Sequence, residues 1–358
     1  MTLLRKIALG AAALATTIVP GSLLADSSSM VSGLDILRTW NLVVLGDLES
    51  SSEVEGKTWV SGDLTGNSSN YQISSSVDNS DGVVGLTVVG DVTGGAKNLN
   101  NGSGAVVGGN VDSGFNLNGS TQTVQVGGTI SNTNVNSNTV ESGLSASDPA
   151  YLQNLTQQAS LIDTSTKGLA FTLSQLDATS SVAINGTSAT FTAVPNADGV
   201  AVFNLDAATL DGITEISFDT GGADSVIVNV SGTSITLDQN FLGNSSGLGE
   251  SVIWNFYEAE DLTLSTAWHG SVLAPNADAT TYNYIEGSAV FGSLKQDGEM
   301  HIGTYGGNWE PGSGGTSSSS SSSSSGGTSV PEPGMLVMFA LALAGLGVMR
   351  RRRASAAN

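Results

Sequence analysis

A short hydrophobic pattern recurs along residues 40–130. Each copy has a valine, any residue, a glycine, a small polar residue and then Leu, Val or Ile. The copies begin at Val44, Val60, Val88, Val107 and Val126, and the second interval is the longest. A period of roughly 19 residues predicts one coil of a β-solenoid, in which inward aliphatic side chains stack on the next coil about 4.8 Å away. We therefore expect a mainly β fold, a right-handed β-solenoid, with an inserted loop at Asn67–Gly82 in the longest interval.

The pattern returns near the end of the chain, at Val272–Asn276 and Val290–Leu294, with a similar spacing. This return predicts that the C-terminal part rejoins the solenoid. Between the two blocks, residues 170–265 alternate like strands. They contain the pairs Asn185-Gly186 and Asp198-Gly199, which tolerate the positive φ angles of tight hairpins. We interpret this stretch as an inserted β-rich segment.

One long α-helix is predicted beside the solenoid. Asp148 is a suitable N-cap and Pro149 suits the first helical position. Apolar residues then follow at helical spacing, at Leu152, Leu155, Ala159 and Ile162. Gly168 would end the helix. The single apolar stripe implies that the helix packs along one face of the solenoid.

Both ends of the chain carry segments that are typical of export. Residues 1–25 have the charged start, apolar core and small final residue of a signal peptide. Residues 312–330 form a Ser/Gly-rich linker, which leads to an apolar span at 334–349. The span is marginally short for a transmembrane helix. The folded domain is expected at residues 26–311.

Composition and charge narrow the range of partners. The 358 residues include 46 glycines and no cysteine, and the formal net charge is −21. Residues 26–330 hold five basic and 31 acidic residues, which gives −26. Such a surface repels nucleic acid and anionic membranes, whereas divalent cations and neutral or cationic polymers are compatible with it. Without disulfides, an exported domain must rely on a large core.

The C-terminal segment, residues 331–353, resembles the PEP-CTERM sorting signal of Gram-negative bacteria. Its parts occur in the order of that signal: Pro331, Glu332 and Pro333, then the apolar span, then Arg350, Arg351, Arg352 and Arg353. The signal peptide implies processing by signal peptidase. The resemblance implies transient insertion of the span into the inner membrane, its removal by an exosortase and release of the protein to the cell surface or an exopolysaccharide matrix. A permanent inner-membrane anchor is the alternative.

The body of the chain, roughly residues 35–306, resembles the choice-of-anchor A domain of bacterial surface proteins. The likeness is carried by an early block at Asn41–Leu48 and by late blocks at Val252–Ala259 and Gly270–Ala277. The resemblance implies an adhesive module. The layout of a helix beside a β-helix is also similar to ice-binding solenoids. The resemblance brings no catalytic residues with it.

The residue patterns contain no sign of catalysis. The two histidines, His269 and His301, lack the spacing of a zinc site. The Gly-x-Ser-x-Gly match at Gly243–Gly247 leads into a strand-like run, whereas a nucleophile elbow leads into a helix. Glu258, Glu260 and Asp261 are near neighbours in sequence, which is typical of a solvated face rather than a glycosidase pair. We therefore expect a protein that is not an enzyme and needs no cofactor.

A calcium site is one candidate for binding chemistry. Asp47, Asp63 and Asp91 occupy the same repeat position, so their carboxylates could align in a column. Stacked carboxylates repel one another unless water or a cation separates them, and calcium prefers oxygen ligands. The nonapeptide calcium repeat does not occur in this sequence.

Sugar and ice are the other candidate ligands. Four aromatic side chains could stack on sugar rings, although core packing is the commoner use: Trp59, Trp254, Trp268 and Tyr257. An ice-binding face needs regularly spaced threonines, and no repeated Thr-x-Thr column is formed by Thr121, Thr123, Thr129 and Thr133. Our leading hypothesis is a non-enzymatic surface or matrix protein, adhesive or structural, in an exopolysaccharide or biofilm setting. The alternatives are a carbohydrate-active enzyme on a β-helix scaffold and an ice-binding-like solenoid.

Overall fold

A computed structural model describes residues 32–310. The predicted signal peptide (1–25), the linker (312–330) and the sorting signal from Pro331 to Arg353 lie outside the described residues. Within 32–310, every helix is too short or too polar to cross a membrane.

Four α-helices and one short 3-10 helix, Leu248–Glu250, occur in the described part of the chain. The α-helices are α1 (Gly33–Thr39), α2 (Leu144–Ser147), α3 (Ala150–Ser174) and α4 (Ala207–Asp211).

Twenty-six strands occur in the same part of the chain, and most are short. They are β1 (Leu42–Val44), β2 (Leu48–Ser50), β3 (Glu53–Val54), β4 (Thr58–Val60), β5 (Leu64–Thr65), β6 (Ser69–Tyr71), β7 (Leu86–Val88), β8 (Lys97–Leu99), β9 (Ala105–Val107), β10 (Phe115–Leu117), β11 (Thr123–Val126), β12 (Thr139–Glu141), β13 (Val182–Asn185), β14 (Ser188–Thr192), β15 (Val200–Asp206), β16 (Glu215–Asp219), β17 (Ser225–Ser231), β18 (Ser234–Leu237), β19 (Asn240–Leu242), β20 (Val252–Asn255), β21 (Asp261–Leu264), β22 (Trp268–His269), β23 (Ser271–Thr281), β24 (Ile285–Glu286), β25 (Ala289–Gln296) and β26 (Met300–His301).

The strands stack as coils, and the parallel pairing makes the fold β-helix-like. The first face of the stack runs in the order β12-β11-β9-β7-β4-β1-β25-β23-β20-β17-β15. The second face is formed by β18, β21, the C-terminal halves of β23 and β25, β2 and β5, and it continues through bridges at Val92, Val111 and Ile130. The third face runs in the order β10-β8-β6-β3-β26-β24-β22.

The chain enters this stack in the middle. From β1 the coils progress to β12 at one end of the first face. The chain then passes through α3 to β15 at the opposite end, and the later coils return from β15 to β25, next to β1. β25 pairs in parallel with β1, with Leu42 opposite Ala289 and Val44 opposite Phe291. The prediction that the C-terminal part rejoins the solenoid is therefore confirmed.

The strands in the middle of the first face, such as β1, β4 and β20, are buried on both sides, which explains their mainly apolar sequences. In β1, Leu42 and Val44 face the interior of the solenoid, whereas Val43 packs outward beneath the helices. The same division holds in β20, where Ile253 points outward and Trp254 inward. α3 covers this outer side with its buried stripe, which consists of Leu155, Ile162, Thr166, Leu169, Ala170 and Leu173.

α3 differs from its prediction at both ends. It begins at Ala150, one residue later than predicted, and its N-cap is Pro149, which makes no side-chain capping bond. Asp148 lies one residue before the N-cap, where its Oδ1 accepts a hydrogen bond from the N–H of Ala150 at 3.0 Å. Gly168, however, lies inside the helix, which continues to Ser174. A glycine costs a helix only about 1 kcal/mol, and burial of Leu169 and Leu173 against the first face outweighs this cost.

The β-rich segment at 170–265 is not an insertion. Its strands β15, β17 and β20 are consecutive members of the first face, so the segment supplies coils of the solenoid itself. Asn185-Gly186 does join the antiparallel hairpin of β13 and β14. Asp198-Gly199 turns the chain into β15, but the flanking strands β14 and β15 pair with β16 and β17 rather than with each other. The hairpin predicted there is therefore wrong.

The predicted loop at Asn67–Gly82 is also shorter than expected. Ser69–Tyr71 forms β6 on the third face, in register with β3 and β8. The extra residues lie after β6 and before β7. Lys57 holds this loop, because its Nζ lies 2.6 Å from a carboxylate oxygen of Asp81.

Candidate adhesive surface

The second face is exposed on its outer side. Its strands alternate buried and solvent-facing residues, as β18 and β21 illustrate. Its inward residues Leu48, Leu64, Val92 and Val111 are fully buried. The outward residues fall into two columns that run across the coils, because parallel strands in register place equivalent side chains one above another.

We name the two columns by their chemistry. The acid column is Asp261, Asp278, Ser293, Asp47, Asp63, Asp91, Asn110 and Thr129. The hydroxyl column is Thr236, Thr263, Thr280, Lys295, Glu49, Thr65, Thr93, Asp112 and Ser131.

The acid column is held by a hydrogen-bond ladder. The Oδ1 atom of Asp47 accepts the N–H of Asp63 at 2.8 Å, and Oδ1 of Asp63 accepts the N–H of Asp91 at 2.7 Å. The ladder continues on the next two coils. Oδ1 of Asp91 accepts the N–H of Asn110 at 2.6 Å, and Oδ1 of Asn110 accepts the N–H of Thr129 at 3.0 Å. Each side chain therefore satisfies the backbone donor of the next coil, which fixes the spacing between coils.

The ladder explains the glycine of the repeat. A Cβ atom at Gly90 would lie 2.1 Å from Oδ1 of Asp63 and 2.7 Å from the carbonyl oxygen of Gly62. The backbone N–H of Gly90 also donates to that carbonyl at 3.0 Å. Only glycine lets the two coils approach this closely at the corner.

The structure thus brings Asp47, Asp63 and Asp91 into one column, each on a separate coil. Among residues 32–310, no group of three or more His, Cys, Asp or Glu side chains is placed to hold a metal ion. Calcium binding by this column stays a prediction.

The three tryptophans singled out by the sequence lie in the interior. Trp254 and Trp268 are 0% exposed, with ring centroids 4.9 Å apart, inside an aromatic core. Trp59 is 3% exposed and packs edge-on against Trp40 beneath the helices. Because none of these rings presents a face to solvent, stacking on sugar rings at these positions is corrected to core packing.

The hydroxyl column contains a threonine run that the sequence did not reveal. Thr236, Thr263 and Thr280 are direct neighbours on three successive coils. The two intervals between them along the chain differ in length, and this unequal spacing hides the column. Lys295 and Glu49 interrupt it before Thr65.

The third face carries a cluster that sequence reasoning also missed. Nδ1 of His269 lies 2.9 Å from a carboxylate oxygen of Glu286, and its Nε2 lies 3.4 Å from the hydroxyl of Tyr284. The Tyr284 ring stacks on His301 at 4.4 Å, and Nε2 of His301 lies 2.7 Å from Glu299. The two histidines are two coils apart, with Glu286 between them. This separation makes the cluster a hydrogen-bonded surface patch rather than a shared metal site.

The fold and the open second face define a class of protein: a β-helix-like domain with one helix-covered face and a regular polar array beside it. A family model described as "Putative Ice-binding-like adhesive domain" matches residues 33–302, more than half of the chain. The chain belongs to this family of ice-binding-like adhesive domains. A model of the PEP-CTERM protein-sorting motif matches residues 329–353. No curated protein and no solved structure gives a match.

These matches establish the general location of the protein. The sorting motif marks it as a bacterial protein that an exosortase processes and that is exported to the cell surface or the extracellular space. The adhesive domain agrees with a surface protein.

Proposed function

We propose that the protein is a non-enzymatic adhesin that binds the extracellular polysaccharide of the bacterium that makes it, through the second face. Its family and its sorting motif support this function. The observation that carries it is the exposed array formed by the acid and hydroxyl columns. Within this proposal the chain is a choice-of-anchor A protein of a Gram-negative bacterium and works in a biofilm matrix.

The array suits a repetitive ligand. Equivalent side chains recur about every 4.8 Å along the stack, and a parallel sheet holds their backbones rigidly. Threonine and aspartate are short, so ordering them on binding costs little side-chain entropy. Many weak hydrogen bonds then act together, because each bond formed raises the effective concentration for the next. The carboxylates accept hydrogen bonds from sugar hydroxyls and repel anionic polymers.

Co-sedimentation of the secreted chain with purified host polysaccharide tests the proposal. We expect the chain to pellet with the polymer. The double variant Thr263→Tyr/Thr280→Tyr, which places bulky rings on the flat array, is expected to reduce pelleting about tenfold or more. Thr156→Tyr is the matched control, since Thr156 is exposed on α3, away from the second face. Equal pelleting by the double variant and wild type would exclude the second face as the binding surface.

Ice binding is the second candidate, favoured by the threonine run Thr236, Thr263 and Thr280. Lys295 and Glu49 break the flat hydroxyl pattern, so we rank it below adhesion. Thermal hysteresis in a solution of the secreted chain, lost in the double variant, would reverse this order.

A carbohydrate-active enzyme is the third alternative. The clustered side chains His269, Tyr284 and Glu286 provide the groups that such chemistry would need. Release of reducing ends or of unsaturated sugars from a glycan panel, abolished by Glu286→Gln, would replace the adhesive proposal with this one.

A further inference from the structure

A shallow, open polar cavity of about 340 Å³ lies at the C-terminal end of α3. Its lining consists of Ser174, Asn204, Leu205, Asp206, Asn229, Ser231 and Tyr257. The cavity belongs to the coils of β15 and β17 and is separate from the acid and hydroxyl columns. Its volume is at the lower end of the range for small-molecule sites, which suits a ligand of one sugar ring.

The amides of this cavity are fixed by a ladder of their own. Nδ2 of Asn229 donates to the carbonyl of Leu173 at 2.8 Å and to Oδ1 of Asn204 at 2.9 Å. Nδ2 of Asn204 donates to the carbonyl of Leu176 at 3.0 Å. Because these bonds tie the amides to the end of α3, the wall of the cavity is rigid before any ligand arrives. Such preorganisation lowers the entropy cost of binding.

The local field favours a positive charge. The C-terminus of a long helix carries a partial negative charge, and Ser174 at that terminus lines the cavity. Asp206 adds a carboxylate, of which only Oδ1 caps α4, by accepting the N–H and hydroxyl of Thr209 at 2.8 and 2.7 Å. The hydrogen bond from the Thr209 side chain lowers the pKa of Asp206, so this carboxylate stays ionised.

The remaining walls suit a saccharide. Tyr257 is half-buried against the apolar layer beneath α3 and supplies an aromatic ring. Ser231 supplies a hydroxyl, and the exposed Asn204 supplies an amide, whereas the amide of Asn229 is used within the protein. An aromatic ring beside an amide, hydroxyls and a carboxylate is a combination that can contact both the apolar face of a sugar ring and its hydroxyls.

We propose that this cavity binds one amino-sugar unit, with the sugar ring against Tyr257 and the ammonium group against Asp206. The inference rests on the proposed polysaccharide adhesion. It makes the cavity a second binding site for the polymer, in addition to the second face, and names the sugar that this site recognises. The unit could be the end of the polymer or a residue within it, and both present the same ring and amine.

Titration of glucosamine, N-acetylglucosamine and glucose into the secreted chain, followed by calorimetry or ligand-observed NMR, tests the proposal. We expect glucosamine to bind about tenfold or more tightly than the two uncharged sugars, because a charge-assisted hydrogen bond forms only with the ammonium. Asp206→Asn retains a side-chain oxygen that caps α4, and it should abolish this preference. Tyr257→Ala should weaken glucosamine binding by about tenfold.

Tyr282→Ala is the matched control. Tyr282 is 60% exposed and is not part of the cavity wall, so its loss should leave the titration unchanged. Equal affinity for the three sugars, or a glucosamine preference that survives Asp206→Asn, overturns the inference. Glucosamine binding that is lost equally in the control variant also overturns it. The adhesive proposal has a separate test: it fails if the wild-type chain does not co-sediment with the whole polymer, whatever the result of the sugar titrations.

Discussion

The coils from residues 42–141 and those from residues 200–301 build one solenoid in two ways. The early coils have very short strands, a core of mainly Val and Leu, and Asx and glycine ladders at their corners. The late coils include longer strands, such as β15, β17 and β23, and surround a core that contains Trp254 and Trp268. The early coils are therefore joined at their corners by hydrogen bonds, whereas the late coils combine the Asn204–Asn229 ladder with a large buried aromatic volume.

The largest expected effect is on the late coils. Trp254→Ala should lower the free energy of unfolding by about 3–5 kcal/mol, because a fully buried ring that contacts Phe191, Phe218, Phe241 and Trp268 leaves a large cavity. Guanidinium denaturation measures the change. Tyr282→Ala, at an exposed aromatic, should change the free energy by less than about 0.5 kcal/mol. A change of less than about 1 kcal/mol for Trp254→Ala would mean that the aromatic core does not stabilise the late coils.

A substitution at a corner glycine tests the early coils. Gly90→Ala should destabilise by about 1–3 kcal/mol, since its Cβ would overlap Asp63 and the backbone of Gly62. Gly168→Ala is the matched control, because its Cβ meets nothing within 4 Å inside α3, and it should stabilise by about 0.5–1 kcal/mol. Thermal melts measure the change in melting temperature, which should be negative for Gly90→Ala and positive for Gly168→Ala. Changes of the same sign would contradict the distinction between corner and helix glycines.

Lys97 is an unusual contributor to the early coils. Its buried Nζ donates to the carbonyls of Thr65 and Asn67 at 3.0 and 2.6 Å. Lys97→Met should cost about 1–3 kcal/mol, because these carbonyls lose their charged donor. Denaturant titration at pH 7 measures the loss.

The pH dependence gives a second measurement on Lys97. Burial lowers the pKa of its ammonium from 10.5 to about 8. Between these values the unfolded chain holds the proton more tightly than the folded chain, so the Lys97 contribution to stability rises with pH. We expect the free energy of unfolding to increase from pH 8 to pH 9.5 more steeply in wild type than in Lys97→Met. Parallel pH profiles would contradict the lowered pKa.

The smallest expected effect distinguishes the ladder from a cation site. Asp63→Ala removes the Oδ1 acceptor of the Asp91 N–H and should cost about 1 kcal/mol. Asp63→Asn keeps that oxygen and should be closer to wild type. If calcium bridges the acid column, calcium should raise the melting temperature of wild type and not of Asp63→Asn. An equal calcium response in both would exclude Asp63 as a ligand.

The difference between the two sets of coils also explains which features the sequence predicted. The early repeat has a glycine and an Asx residue at fixed positions, so the column of Asp47, Asp63 and Asp91 was visible as a pattern. In the late coils the register partners Ala201, Val226 and Val252 are further apart along the chain than the regular early repeats at Val88, Val107 and Val126. These longer coils carry no corner motif, so their sequence predicts an insertion rather than coils of the solenoid.

The candidate surface was only partly predictable for the same physical reason. Thr280 and Lys295 are neighbours on the second face, and so are Lys295 and Glu49, which are remote in sequence. Only the pairing of β25 with β1 and β2 brings the late and early columns together. The burial of Trp254 and Trp268 likewise depends on Phe191, Phe218 and Phe241, which other coils place around them.

The junction of β1 with β25 has a consequence for how the chain reaches this structure. The side chain of Asn41 donates to the carbonyl of Gly287, which lies 246 residues further on, at 2.7 Å. Contacts of such long range form late, because a large loop must close first. β1 obtains its second neighbour, β25, only after nearly the whole domain has been synthesised. Closure of the solenoid at this junction is therefore expected to be the last step of folding.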